Sequence, residues 1–479
     1  MSEPGTFFGQ PRVLANLFGV ELWERFSFYG MQGILLIYLY YSAARGGLGI
    51  DEDTATSIVG AYGGAVYLST ILGAWVADRL LGPERVLFAA AVLVMAGHIS
   101  LALLPGLAGV AVGLVLIAIG SGGVKANATS LVGTLYAEDD PRRDAGFSLF
   151  YLGINLGALV GPLLTGLLQQ EAGFHWGFGL AALGMAIGLV QYTIGRKKLS
   201  GPAREVPNPL PPGRRWLVAA VALAVVAVIA VVVATGLLPA SRLATAVVVV
   251  SAVAAAAYFT VILSSRSITG LERQRMLGFL PMFLASTVFW SLYQQQFTVV
   301  TIYSDQRLDR DLFGWEMPVS WVQSINPVFI IVLSGAFAAL WTRLGDRQPS
   351  TPVKFAAGTA LMGAAFLLFL PLAGGGPNSA PLLALAGILL VFTVAELLLS
   401  PVGLSLATKV APAAFRTQTV ALFFLSVALG TALSGVLARY YSAEREVAYF
   451  GILGATALFF GALLAALTPL VRRLLSGVR

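Results

Sequence analysis

Residues 21–30 read ELWERFSFYG, and this short stretch decides how the chain around it must fold. Three charged side chains, Glu21, Glu24 and Arg25, fall within five residues. They lie inside an otherwise apolar run, 13–41. A helix of that length can cross the roughly 30 Å of hydrocarbon in a bilayer. Charges inside such a helix must face protein or water, so the sequence predicts a bundle of helices around them.

The overall composition is that of a membrane protein. The 479 residues are 57% hydrophobic and 11% charged, whereas a soluble domain carries roughly 25% charged residues. The absence of cysteine excludes disulfides and thiolate metal sites. The first apolar run is too long for the core of a removable signal peptide.

About fourteen apolar segments reach the length of a transmembrane helix. Helices are predicted because the bilayer core offers no water to unpaired backbone groups. The predicted spans are 13–41, 54–79, 84–104, 107–136, 145–169, 175–195, 215–237, 241–264, 277–303, 318–343, 353–371, 379–408, 415–440 and 446–471.

The basic residues predict the orientation of the chain. Most of the 30 Lys and Arg residues fall at alternate ends of the predicted spans, and such ends face the cytoplasm. We therefore expect a multi-pass plasma-membrane protein with both termini in the cytoplasm and membrane lipid around it. This distribution explains the net charge of +7 without a nucleic-acid partner.

One long polar segment divides the predicted spans. Residues 196–215, RKKLSGPAREVPNPLPPGRR, are rich in Pro and charge and predict a connector rather than a helix. Weak similarity between 73–82 and 335–347 indicates an internal repeat of six helices. The expected domains are an N-terminal six-helix bundle, a linker with two additional transmembrane helices and a C-terminal six-helix bundle, at 1–196, 197–276 and 277–479.

Five formal charges fall in mid-membrane: Glu21, Glu24, Arg25, Lys125 and Glu396. Each costs roughly 2.5–3.5 kcal/mol when it faces lipid, so they must face one another or water. The first three lie at i, i+3 and i+4, on one helix face. Two acids and one base leave a surplus carboxylate, which is a natural proton site. A buried ion pair that only fixes helix packing is the structural alternative.

Lys125 follows a glycine-rich stretch, 119-IGSGGVKANATS-130, but a phosphate loop is excluded. A Walker A loop needs Gly directly before the Lys and Ser or Thr directly after it, and here Val124 and Ala126 occupy those positions. The glycines instead favour close helix approach. Lys125 and Glu396 fall on equivalent spans of the repeat, and an opposite-charge pair across a cavity would suit a zwitterionic ligand.

Enzyme chemistry is not predicted. His98 and His175 are the only histidines and lack metal-ligand spacing. No Gly-x-Ser-x-Gly motif occurs, and we expect neither a cofactor nor a metal. A channel is also disfavoured, because no repeated ring of pore residues is evident.

These motifs resemble those of the proton-dependent oligopeptide transporters, a branch of the major facilitator superfamily. Glu21-x-x-Glu24-Arg25-Phe26-x-x-Tyr29 resembles the family's first-helix signature. Residues 147-FSLFYLGINLG-157 resemble its fifth-helix signature. Lys125, Asn326-Pro327, and Glu396 followed by Pro401 also match. The two extra spans at 215–264 look like the inter-domain helices of bacterial members.

The resemblance implies an all-α major facilitator fold and proton-coupled import of di- and tripeptides by a monomer that alternates access. It implies that Arg25 and Lys125 attract the peptide carboxylate, and that Glu21 and Glu24 exchange protons, with Arg25 and Glu396 as further proton-coupling residues. Glu396, Asn155 and Asn326 would hold the amino end or backbone. Further pocket residues would be Tyr29, Tyr67, Tyr151, Trp290 and Ser400. A same-fold transporter of a non-peptide anion or zwitterion is the alternative.

The chain departs from the family pattern at four positions. Phe28 and Phe423 stand where the family usually has Tyr and Trp. Gln32 and Gln294 stand where many members carry a base and an acid that can pair as a charged gate. The resemblance therefore does not imply a charged gate in this chain.

Overall fold

The computed structural model is almost wholly α-helical and describes residues 6–137, 140, 142–199 and 201–477. Its helices are α1 Arg12–Tyr40, α2 Glu52–Val76, α3 Pro83–Leu103, α4 Gly106–Gly133, α5 Arg143–Ala172, α6 Phe174–Gly195, α7 Pro212–Ala234, α8 Leu243–Ser264, α9 Gly270–Tyr293, α10 Val299–Gln306, α11 Ile325–Leu344, α12 Thr351–Leu367, α13 Leu382–Val410, α14 Arg416–Ala438 and α15 Glu446–Leu475. Strands β1 Asp311–Leu312 and β2 Trp315–Glu316 form a small antiparallel hairpin.

Membrane-spanning helices account for most of this structure. Within the described ranges, thirteen helices are long and apolar enough to cross a membrane. Helix α1, with three charges near its middle, adds a further helix of 29 residues. The chain divides into two compact units. Unit 1 comprises Met1–Ile58 and Leu68–Leu243, and unit 2 comprises Val59–Tyr67 and Ala244–Arg479, so the middle of α2 groups with unit 2.

In unit 1, glycines on α5 allow it to lie directly against α1. Gly153, Gly157 and Gly161 are spaced four residues apart and so share one face of α5. An added Cβ at Gly157 would overlap the carbonyl oxygen of Leu22. One at Gly161 would overlap the carbonyl oxygen of Phe26. This small-residue packing brings two helix backbones together where larger side chains would hold them apart.

Hydroxyl groups fasten α1 to its neighbours in the same unit. Thr165 of α5 donates from Oγ1 to the carbonyl of Gly30 over 2.8 Å. Ser27 of α1 donates from Oγ to the carbonyl of Ala181 in α6 over 2.7 Å. Such bonds between transmembrane helices fix the rotation of α1, which determines the direction in which its charged face points.

Most of the polar connector, 196–215, is not α-helical where the structure describes it, as its sequence predicts. It is nevertheless hydrogen-bonded to the segment between α2 and α3. Its described residues include two short 3₁₀ turns, Arg196–Lys198 and Gly201–Arg204. The amide of Asn208 donates to the carbonyl of Asp78 over 2.9 Å, and the amide of Leu210 donates to that of Arg79 over 2.9 Å. The connector therefore lies as a strap across the junction between α2 and α3.

In unit 2, the structure departs from the predicted continuous helix at 277–303. Helix α9 ends at Tyr293, and a 3₁₀ turn, Gln294–Phe297, separates it from α10. The side-chain amide of Gln296 donates to the Tyr293 carbonyl over 3.2 Å. Thr301 Oγ1 donates to the Gln296 carbonyl over 2.8 Å. Polar side chains thus satisfy the backbone groups released by the break, a contribution that hydropathy does not reveal.

We expect the Gly157→Ala variant to be less stable than the Gly179→Ala variant. Both glycines lie inside helices, so the gain in helix propensity cancels in the comparison. The new methyl group would overlap the α1 backbone at position 157 but meets nothing within 4 Å at position 179. Overpacking of this kind costs about 1–3 kcal/mol. Thermal unfolding of the purified proteins in detergent measures the difference, and equal midpoints would contradict the proposed α1–α5 packing.

Candidate functional site

The charged residues of α1 form a buried ion-pair cluster. The exposed fractions of Glu21, Glu24 and Arg25 are 2%, 0% and 3%. Arg25 Nε lies 2.8 Å from Glu21 Oε1 and 3.1 Å from Glu24 Oε2. One guanidinium is therefore shared by two carboxylates. Removing Arg25 would take away the one guanidinium that both carboxylates share in the interior of unit 1.

Helix α4 completes this cluster with a hydroxyl group and a second cation. Ser121 Oγ donates to Glu24 Oε1 over 2.6 Å. Lys125, one turn later on α4, interacts electrostatically with Glu21, Glu24 and Arg25. Two acids and two bases thus form one group, here named the α1–α4 charge cluster: Glu21, Glu24, Arg25 and Lys125. Its formal charge is zero when all four side chains are ionised.

The carboxylate oxygens in this cluster differ in their hydrogen bonding. Glu24 Oε1 accepts from Ser121, and Glu21 Oε1 accepts from Arg25. In the part of the chain that the structure describes, Glu21 Oε2 and Glu24 Oε2 are both buried and accept no hydrogen bond. These two oxygens therefore depend on the positive charges of Arg25 and Lys125, rather than on hydrogen-bond donors, for compensation of their charge.

The glycine-rich sequence of α4 positions Ser121 and Lys125. Residues 106–133 are one helix, so the stretch before Lys125 is not a phosphate loop. An added Cβ at Gly122 would overlap the backbone of Ser69 in α2. At Gly120 it would lie 2.7 Å from the Ala90 carbonyl of α3. The glycines let α4 lie close to α2 and α3, while Ser121 contacts Glu24 of α1.

The other predicted site residues of unit 1 lie on α1 and α5. Tyr29 interacts electrostatically with Arg25, and its ring lies 5.2 Å from that of Phe28. Asn155 is buried and donates from Nδ2 to the Tyr151 carbonyl over 3.0 Å. The Tyr151 side chain is 41% exposed. Tyr67 of α2 groups with unit 2 instead.

A second polar group surrounds Glu396 on α13 in unit 2. Tyr293 Oη donates to Glu396 Oε2 over 2.7 Å. Asn326 Nδ2 donates to the same oxygen over 3.3 Å and to Thr393 Oγ1 over 2.9 Å. These four residues are here named the Glu396 cluster: Glu396, Tyr293, Asn326 and Thr393. The donors that hold the carboxylate are neutral, so a cationic ligand group could still pair with its charge.

Aromatic packing supports the Glu396 cluster. The Trp290 and Tyr293 rings meet edge to face at 5.1 Å, and Trp290 is 7% exposed. Trp290 Nε1 is buried and donates no hydrogen bond within the described ranges. Ser400, one turn after Glu396 on α13, is half-buried. Trp290 therefore packs against the tyrosine that donates to Glu396, and Ser400 lies one turn from Glu396 on the same helix.

Sequence reasoning missed three residues of these clusters: Ser121, Tyr293 and Thr393. Ser121 precedes Lys125 by four residues and Thr393 precedes Glu396 by three, so helical spacing from each charge could have found both. The predicted pairing of Lys125 with Glu396 stays a prediction, since the two lie in different units. Gln32 and Gln294, which replace the charged gate, are both buried. No group of metal-binding side chains occurs among the residues described.

Comparison with known proteins identifies the family. The family model described as the POT family matches residues 84–453. The chain belongs to the POT family. It is 40% identical over 488 residues to the "Di-/tripeptide transporter" of Lactococcus lactis subsp. cremoris, covering 99% of this chain and 98% of the relative. It is 41% identical over 477 residues to the "Uncharacterized transporter YclF" of Bacillus subtilis (strain 168), covering 98% of this chain and 96% of the relative.

Solved POT structures agree closely with this fold. A mutant of the peptide transporter POT in complex with alafosfalin has a TM-score of 0.94 and 44% sequence identity, covering 99% of this chain and 98% of that one. A POT family transporter in complex with 5-aminolevulinic acid has a TM-score of 0.92 and 37% identity, covering 98% of each chain. The predicted all-α major facilitator fold is confirmed. The chain is a multi-pass membrane transporter and not an enzyme.

We expect Tyr293→Phe to destabilise unit 2 and Tyr303→Phe to leave it unchanged. The first substitution removes the hydroxyl that donates to Glu396, while the second removes a buried hydroxyl that has no partner among the described residues. A hydrogen bond to a charged group contributes about 1.5–3 kcal/mol. The free energy of unfolding in mixed detergent micelles measures both changes. Equal losses in the two variants would show that the Tyr293 hydroxyl does not hold Glu396.

Proposed function

We propose that this POT family transporter imports di- and tripeptides together with protons across the plasma membrane by alternating access. It acts as a monomer surrounded by lipid, with both termini in the cytoplasm. The names of its relatives support the substrate class, since one is called a di-/tripeptide transporter at 40% identity. The observation that carries the mechanism is the buried α1–α4 charge cluster, in which two acids and two bases balance.

Peptide recognition uses the charges of both clusters. A free peptide is a zwitterion with a carboxylate at one end and an ammonium group at the other. Arg25 and Lys125 attract the carboxylate, and Glu396, with Asn326 and Asn155, attracts the amino end or backbone. The neutral hydrogen-bond donors around Glu396 support this role, because they orient the carboxylate without neutralising it. Tyr29, Tyr67, Tyr151, Trp290 and Ser400 provide the remaining contacts.

Proton coupling follows from the charge balance of the α1–α4 charge cluster. A peptide carboxylate that approaches Arg25 and Lys125 adds one negative charge to a group that is formally neutral. A proton on Glu21 or Glu24 restores neutrality. Proton and peptide therefore favour each other's binding, and by thermodynamic linkage the effect is reciprocal. Both acids have one buried carboxylate oxygen that accepts no hydrogen bond from described residues, so either can serve as the proton site.

The substrate could instead be a non-peptide zwitterion or anion. One similar POT family transporter was solved with 5-aminolevulinic acid, which carries an amine and a carboxylate on a short chain. The same charges would attract such a molecule. The di-/tripeptide names of the relatives favour peptides.

Peptides with blocked ends should compete poorly with free dipeptides for uptake. Acetylating the amino end removes the charge that Glu396 attracts, and amidating the carboxyl end removes the charge that Arg25 and Lys125 attract. Competition against a labelled dipeptide in proteoliposomes measures both effects. Full competition by blocked peptides, together with better competition by small amino acids, would favour the non-peptide candidate.

The variants Lys125→Ala and Glu396→Ala should each abolish concentrative uptake of the labelled dipeptide.

We expect Glu21→Gln or Glu24→Gln to lose proton-driven accumulation and retain peptide counterflow. Glutamine mimics a permanently protonated acid, so the peptide still binds but no proton is released. The assay compares uptake driven by a pH gradient with gradient-free counterflow. Glu171→Gln is the matched control, because Glu171 is exposed at the end of α5. Accumulation by both single variants at the control's level would move the proton site elsewhere, with Glu396 as the first candidate.

A further inference from the structure

A second cluster of charges lies away from the α1–α4 charge cluster, at the end of unit 1 where α3 begins and α6 ends. A cavity of about 350 Å³ is lined there by Glu84, Arg85, Thr193, Arg196, Lys197 and Arg204. Four cations face one carboxylate, so the lining carries a formal charge of three positive units. Peptide transport as proposed above uses none of these residues.

Glu84 organises the cavity. It is 0% exposed, and Arg196 Nη2 donates to its Oε2 over 3.0 Å. Arg204 Nε lies 3.5 Å from the same oxygen, and Arg204 also donates to the Arg196 carbonyl over 3.2 Å. One buried carboxylate therefore holds two guanidinium groups in fixed positions. The Arg204 Nε atom is buried and has no hydrogen-bond partner within the ranges described.

The remaining cations have no such constraint. Arg85 and Lys197 are exposed, and neither forms an ion pair with another residue that the structure describes. The Arg196 guanidinium also lies 3.8 Å from the centre of the Phe88 ring, which holds it flat against α3. Ion-paired and exposed cations together surround a space large enough for a phosphate-containing group.

Apolar helix faces begin directly beside this cavity. On α6, Ile194 and Val190 are 74% and 60% exposed. On α3, Val92 is 41% exposed. In a membrane protein such faces contact lipid chains. A ligand with a phosphate headgroup and attached acyl chains could therefore meet the cations and the apolar faces at once, which a free anion could not do.

We propose that this cavity binds the headgroup of an anionic phospholipid, with the phosphodiester held by Arg85, Arg196, Lys197 and Arg204. Basic pockets between transmembrane helices are known to take such headgroups. Arg204 belongs to the docked connector and Arg196 to the end of α6, so the bound lipid braces the connector against unit 1. Under the predicted orientation, the site faces the cytoplasmic leaflet.

Native mass spectrometry of the whole purified transporter, released from neutral detergent, tests this proposal. Phosphatidylglycerol should bind more tightly than phosphatidylcholine, and glycerol phosphate and inorganic phosphate should bind far more weakly than phosphatidylglycerol. The double variant Arg85→Gln with Lys197→Gln should lose about thirty-fold in phosphatidylglycerol affinity, from roughly five-fold per cation. Both side chains are exposed, so the variant should fold.

The matched control removes two exposed cations that do not line the cavity, Lys198→Gln with Arg214→Gln. It should retain wild-type affinity for phosphatidylglycerol. Equal losses in the two double variants would indicate general surface attraction and would overturn the site. Equal binding of phosphatidylcholine would overturn it as well. Tight binding of inorganic phosphate or glycerol phosphate would assign the cavity to a soluble anion instead of a lipid. None of these outcomes depends on the transport assays.

Discussion

The sharing of one buried guanidinium by two carboxylates, in the middle of α1, constrains the rest of unit 1. Glu21, Glu24 and Arg25 are almost wholly excluded from the surface. None of them could face lipid at an acceptable cost, so α1 has to lie inside a bundle. The α5 glycines permit one helix to approach closely, and Ser121 of α4 supplies a hydrogen bond on the charged side. The packing of three helices thus follows from the need to enclose one ion-pair cluster.

The same cluster connects structure with the proposed transport cycle. The cluster is formally neutral when its four side chains are ionised. An anion that binds beside it adds one negative charge, and a proton on either carboxylate restores the balance. This response requires burial, since water would screen the interaction between bound peptide and proton. Gln32 and Gln294 cannot titrate, which leaves the acids of the two clusters as the candidates for coupling.

Much of the fold and part of the site could be predicted from the sequence. The transmembrane helices followed from apolar length, and the α1 cluster followed from the spacing of Glu21, Glu24 and Arg25. The break after Tyr293 could not be predicted, because it depends on hydrogen bonds made by Gln296 and Thr301 that hydropathy ignores. The docking of the connector depends on backbone hydrogen bonds to Asp78 and Arg79. Any residue type can form such bonds, so amino-acid composition does not predict them.

The site residues that were missed share a physical property. Ser121, Tyr293 and Thr393 are neutral, and neutral polar residues occur throughout transmembrane helices for ordinary packing reasons. Their importance becomes visible only when a charge is seen to depend on them. The family motifs identified the charged residues but gave no reason why Glu396 should be held by neutral donors. The distances to Tyr293 and Asn326 supply that reason.

Direct observation of proton movement tests the central claim most sharply. Proteoliposomes loaded with a pH-sensitive dye would report acidification of the lumen when dipeptide is added outside. The wild-type transporter should acidify the lumen in proportion to peptide uptake. The double variant Glu21→Gln with Glu24→Gln should exchange peptide with no acidification. Acidification by the double variant at the wild-type ratio of protons to peptide would contradict the assignment of coupling to the α1–α4 charge cluster.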